Sequence, residues 1–122
     1  GQIVQGTVDL VTPGGARMGQ IVVRETPSED VEVRIDGLSS GDSVRMVVSG
    51  TEAARWTADG ASFRKTQRVT LDPAHPTVVR VEAYTADGIA KVLSNPITFL
   101  PQMPPNGIPA ARAERAGASA QR

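Results

Sequence analysis

The stretch Thr77 to Leu100, TVVRVEAYTADGIAKVLSNPITFL, constrains the fold more than any other part of the chain. Val79, Val81 and Ala83 alternate with Arg80, Glu82 and Tyr84, the period-two pattern of a strand with one buried face and one wet face. Asp87-Gly88 then supplies a reversal, because glycine adopts positive φ at no steric cost and aspartate tolerates it, so the chain can return through Ile89 to Leu93. An Asn95-Pro96-Ile97 corner closes the segment. A sequence of this kind specifies half a β-sheet rather than a catalytic constellation.

The rest of the chain repeats the theme, with turn signals at intervals of roughly 8–12 residues. Ile3 to Val11 and Gly19 to Arg24 flank a Thr12-Pro13-Gly14-Gly15 turn. Val31, Val33 and Ile35 alternate with Glu32, Arg34 and Asp36, which sends three β-branched side chains inward and three charges into water. Leu38 to Asp42 turns the chain into Ser43 to Ser49, a fourth strand directly after the third, with Val44, Met46 and Val48 inward. Gly50 closes a tight turn before Thr51 to Thr57, and Ala58 to Ala61 reverses again before Lys65 to Leu71. Asp72-Pro73-Ala74-His75-Pro76 ends that strand, since proline has no donor for a ladder.

These patterns predict an all-β, immunoglobulin-like β-sandwich of seven or eight mostly antiparallel strands over residues 1–101, with Greek-key connections in preference to meanders. Val33, Ile35, Val44, Met46, Val69, Val79, Val81 and Ile97 form the expected core, with Glu32, Arg34, Arg45 and Arg80 exposed. Residues 102–122 read as a disordered Pro/Ala/Arg-rich tail, because they offer little apolar area to bury, and Ala110 to Ala116 supports at most a helical turn or two.

Three pieces of the chain, Ala16-Arg17-Met18-Gly19, Val79-Arg80-Val81-Glu82 and Ser94-Asn95-Pro96-Ile97, occur in an order and spacing that resembles a known module. That module is the C-terminal β-sandwich appended to PHP-type (polymerase and histidinol phosphatase-like) metal-dependent phosphoesterases. The resemblance spans roughly Ala16 to Phe99. It implies a non-catalytic accessory domain that packs against or positions the hydrolase domain of the same polypeptide, with support of a homo-oligomer as a further role. The catalytic part of that family is a metal-binding barrel rich in His and Asp that opens on a His-x-His motif. This chain has one histidine, so no functional residue carries over.

Composition excludes more than it assigns. Lys and Arg number 13, as do Asp and Glu, so no net field draws in nucleic acid or an anionic membrane. The absence of cysteine removes disulfides, thiolate metal sites and thiol nucleophiles, and leaves the compartment unassigned. No apolar run approaches the roughly 20 residues of a membrane span, and the N-terminus lacks a signal-peptide pattern. The expected partner is therefore protein, with no nucleic acid and no membrane.

No catalytic, metal-binding or cofactor-binding residue is predicted. His75 sits among prolines with only Asp72 beside it, too few ligands for a metal. Asp36, Asp42, Asp59, Asp72 and Asp87 all adjoin turns, where a carboxylate caps backbone N–H groups. Ser39, Ser40 and Ser94 lack the Gly-x-Ser-x-Gly elbow and a histidine partner.

The candidate interface is Arg55, Trp56, Phe63 and Arg64, read as flanking one hairpin. Trp56 has two readings there, as core or as an exposed docking anchor, since tryptophan and arginine are enriched at binding hot spots. The rival function is a carbohydrate- or surface-binding module of a secreted protein. It needs a row of exposed aromatics, and the sequence offers only Trp56, Phe63, Tyr84 and Phe99.

Overall fold

The computed structural model describes residues 7–105 and 107. The start of the expected Ile3 to Val11 strand, and most of the expected tail with its Ala110 to Ala116 segment, lie outside the described residues. Nine strand segments follow one another: β1 (Thr7–Val11), β2 (Ile21–Val23), β3 (Ser28–Asp36), β4 (Ser43–Val48), β5 (Thr51–Thr57), β6 (Ser62–Thr70), β7 (Thr77–Tyr84), β8 (Ala90–Leu93) and β9 (Ile97–Leu100). Among these residues no helix is long and apolar enough to cross a membrane.

A three-stranded sheet runs β1-β3-β6, and a larger one runs β2-β9-β7-β4-β5 with β8 also on β7. Their inner faces enclose the core, giving the expected all-β, immunoglobulin-like sandwich. The Thr77 to Leu100 hairpin forms around Asp87-Gly88, where Gly88 has φ of 89° and its N–H donates to Thr85 O. Its returning arm is one strand broken in two. β8 pairs with Glu82 to Tyr84 and β9 with Thr77 to Val79 along the same edge of β7, the proline corner lying between them. β4 and β5 form a second hairpin, closed by Ser49 and Gly50 with φ of 48° and 87°, the paired positive angles that match the twist of a two-residue turn.

The chain changes sheets more often than the sequence suggests. β4 follows β3 in sequence but belongs to the other sheet, and so does β6 relative to β5. Arg55 to Arg64 is accordingly a crossover and not a hairpin: period-two patterning marks which face of a strand is buried, not which neighbour completes its ladder. The expected Lys65 to Leu71 strand begins at Ser62, because Phe63 and Arg64 continue the ladder opposite Ile35 and Arg34. Lys65 then shares the inner face with Val33 but stays exposed at the sheet edge, where an inward charge discourages further pairing.

All eight residues of the expected core are buried, and Leu10, Phe63, Val92 and Phe99 join them. On the outer faces Arg34 is exposed as expected, whereas Glu32, Arg45 and Arg80 are half-buried. Glu82, assigned by alternation to the wet face, is only 8% exposed. Ion pairing explains the burial of Glu82, Arg45 and Arg80, since the two arginines fold over the carboxylate instead of extending into water.

Candidate functional site

The four candidate interface residues share one side of the sandwich, where β5 and β6 are the edge strands of their sheets. Trp56 and Phe63 point inward and touch, their rings 5.6 Å apart and tilted by 58°. Phe63 is buried and Trp56 is half-buried against the core, so the indole combines packing with an accessible rim. The two arginines diverge. Arg55 stands on the outer face of the larger sheet, opposite Arg45, and its guanidinium donates to Glu52 at 2.7 and 3.1 Å. Arg64 stands on the outer face of the smaller sheet, opposite Arg34, and donates to Phe63 O at 2.9 Å. The aromatics therefore meet while the cations serve opposite faces.

Beside Arg55 the outer face of the larger sheet carries a charge network. The Glu82 carboxylate accepts from Arg45 Nε at 2.8 Å and from the Tyr84 hydroxyl at 2.7 Å, with Arg80 at 3.1 Å. Burial pushes this carboxyl up, but the Tyr84 hydroxyl, the Arg45 hydrogen bond and the charges of Arg45 and Arg80 together hold it below the usual carboxylate range. Arg45 also reaches Glu52 at 3.2 Å, which links β7, β4 and β5 across the sheet.

A second pair is more deeply enclosed. Lys91 of β8 places Nζ 2.8 Å from Asp42 Oδ2, with side-chain exposures of 8% and 5%. Asp42 also closes its own turn, accepting the Ser39 N–H at 2.8 Å. Desolvation pushes the Asp42 carboxyl up, yet the Lys91 and Ser39 hydrogen bonds and the ammonium charge outweigh it and leave the acid below its ordinary value. Asp72 caps in the same way, accepting from Ala74 N at 2.7 Å with His75 Nδ1 3.4 Å away, so His75 belongs to a turn. Ser94 is held by the backbone, its Oγ accepting the Val81 N–H at 2.8 Å. Among the described residues no three of His, Cys, Asp or Glu converge on a metal position.

The outer face of the larger sheet changes character away from β5. Ile21 and Val23 of β2 pair with Thr98 and Leu100 of β9, and Thr98 pairs with Val78 of β7. Their intervening neighbours Val22 and Phe99 face the core, so this set faces outward. Leu93, 50% exposed and opposite Glu82, continues the stripe along the same edge. The outer face of the smaller sheet carries Asp30, Glu32, Arg34 and Asp36 on β3 instead. Sequence reasoning missed the stripe, although Ile21-Val22-Val23 and Phe99-Leu100 break the alternation that marks a one-sided strand. It also missed Lys91, the lone cation of an otherwise apolar strand.

No family model matches the chain, and no curated protein matches it. Among solved structures it is similar to the CARDB domain of PF1109 from Pyrococcus furiosus. The solution NMR structure of that domain superposes with a TM-score of 0.54 at 15% identity, covering 80% of this chain and 96% of that one. A crystal structure of the same domain, in complex with di-metal ions, gives 0.51 at 17% identity and covers 80% and 86%. At such identity the likeness concerns the fold alone.

Proposed function

We propose that this chain is a non-catalytic accessory β-sandwich that packs against and positions a neighbouring domain of the same polypeptide, a metal-dependent phosphoesterase of the PHP type by the sequence resemblance. The observation that carries the docking role is the outward apolar stripe of Ile21, Val23, Val78, Leu93 and Leu100. A sheet face open to solvent usually presents polar side chains, so an apolar outer face is suited to a covering partner. An intramolecular interface buries roughly 600–1,500 Å², enough to stabilise a neighbour without touching a reacting atom.

The di-metal ions are those of the PF1109 domain, and among the described residues here no three of His, Cys, Asp or Glu converge on a metal position. The carbohydrate-binding alternative finds no favouring observation, because Phe63 and Phe99 are buried and the Tyr84 hydroxyl is engaged by Glu82. The test is Leu100→Asp made in the 122-residue chain and in the longer polypeptide with its neighbouring domain. We expect the isolated chain to melt nearly as before, while the longer polypeptide loses thermal stability and phosphodiesterase activity. Equal behaviour of mutant and wild-type longer polypeptides would refute the docking role.

A further inference from the structure

The edge opposite the apolar stripe has its own complementarity. β5 ends the order β2-β9-β7-β4-β5, so one side of its backbone ladder is unpaired among the described residues. Free edges are commonly blocked by proline, by inward or edge charges, or by a bulge that twists the edge away. Thr51 to Thr57, TEAARWT, has no proline and no inward charge, its inward residues being Thr51, Ala54 and Trp56, opposite Val48, Met46 and Val44; what it does carry is a bulge and one outward charge of each sign, Glu52 and Arg55. The neighbouring edge, β6, does carry such a block in Lys65.

A bulge on β5 gives this edge a twofold charge pattern. Residues three apart in a regular strand lie on opposite faces, but the register shift between Met46 and Val47 sets Glu52 opposite Val47 and Arg55 opposite Arg45, both on the outer face. Two copies of β5 laid antiparallel about the Ala53-Ala54 midpoint then bring Glu52 of each copy opposite Arg55 of the other. Thr51 comes opposite Trp56 on the inner side, and only small alanines meet at the centre. Opposite charges directly across a ladder favour pairing, and like charges oppose it.

We infer that β5 is a self-association edge, through which a second copy of this chain continues the larger sheet in an isologous dimer. Glu52 and Arg55 set its register, and the half-buried indole of Trp56 loses its remaining exposed rim. Each copy contributes one short strand, well below the roughly 1,600 Å² of a standard interface, so association is weak and depends on concentration and salt. The stripe on β2 and β9 lies at the other edge and stays free for its own partner.

Sedimentation velocity of the full 122-residue chain over a concentration series tests the inference. The weight-average mass should rise toward that of a dimer, and less so at high salt. Glu52→Arg alone places only cations along the pairing and Arg55→Glu alone only anions, so each should weaken dimerisation at least about tenfold. An equimolar mixture of the two single variants is complementary again and should recover a dimer, as should the doubly exchanged E52R/R55E chain. Circular dichroism of each variant separates loss of pairing from loss of fold. A wild type that stays monomeric, single variants that dimerise as it does, or a mixture that fails to recover would each overturn the proposed edge.

Discussion

Replacing Lys91 by methionine, which keeps the length of the side chain and removes its charge, should be among the most damaging polar substitutions in this protein. Exposure decides the magnitude. A solvent-exposed ion pair contributes about 0–1 kcal/mol, but Lys91 and Asp42 are only 8% and 5% exposed. Removing one partner of a buried pair costs about 3–5 kcal/mol, because the other charge stays behind uncompensated. Asp42 keeps the Ser39 N–H after the change, which places the expected loss near the lower end, about 3 kcal/mol. Against a typical total of about 5–15 kcal/mol that is a large fraction, and at 4–8 °C per kcal/mol the melting temperature should fall by roughly 12–24 °C. Urea melts of wild type, Lys91→Met, Asp42→Asn and the double variant form a double-mutant cycle, in which the double change should cost less than the two single changes added together. Additive losses, or a Lys91→Met chain within 1 kcal/mol of wild type, would refute the idea that the two charges act as one buried unit.

Val33→Ala or Val81→Ala, both at fully buried positions, should each cost about 1–3 kcal/mol in a urea melt with an unchanged slope, and unchanged stability would remove the register. Acid should also weaken the fold. Asp42 and Glu82 are both held below their ordinary values, so the unfolded chain takes up their protons first as pH falls. The stability they contribute is full above about pH 5 and declines through pH 4 and below; a melting temperature that is flat from pH 6 to pH 3 would show that neither carboxylate gains by folding.

The sequence by itself determined most of the strands, their buried faces and where the chain turns. Those properties are local: a side-chain period of two fixes which of Val33 and Arg34 faces the core, and Asp87-Gly88 or a turn at Gly50 can reverse a chain whatever lies around it. The distribution of strands between the sheets was decided by the tertiary structure, because a ladder partner is a non-local choice on which alternation is silent. For that reason Arg55 to Arg64 looked like a hairpin and is a crossover, and Trp56 meets Phe63 from the other sheet. The same holds for the candidate sites. That Arg55 and Trp56 stand at an edge follows from β5 ending its sheet. The joining of Asp42 to Lys91 and the closing of Arg45 over Glu82 follow from folding as well, since each contact becomes available only once distant segments are neighbours, and it is burial at those contacts that makes their charges matter.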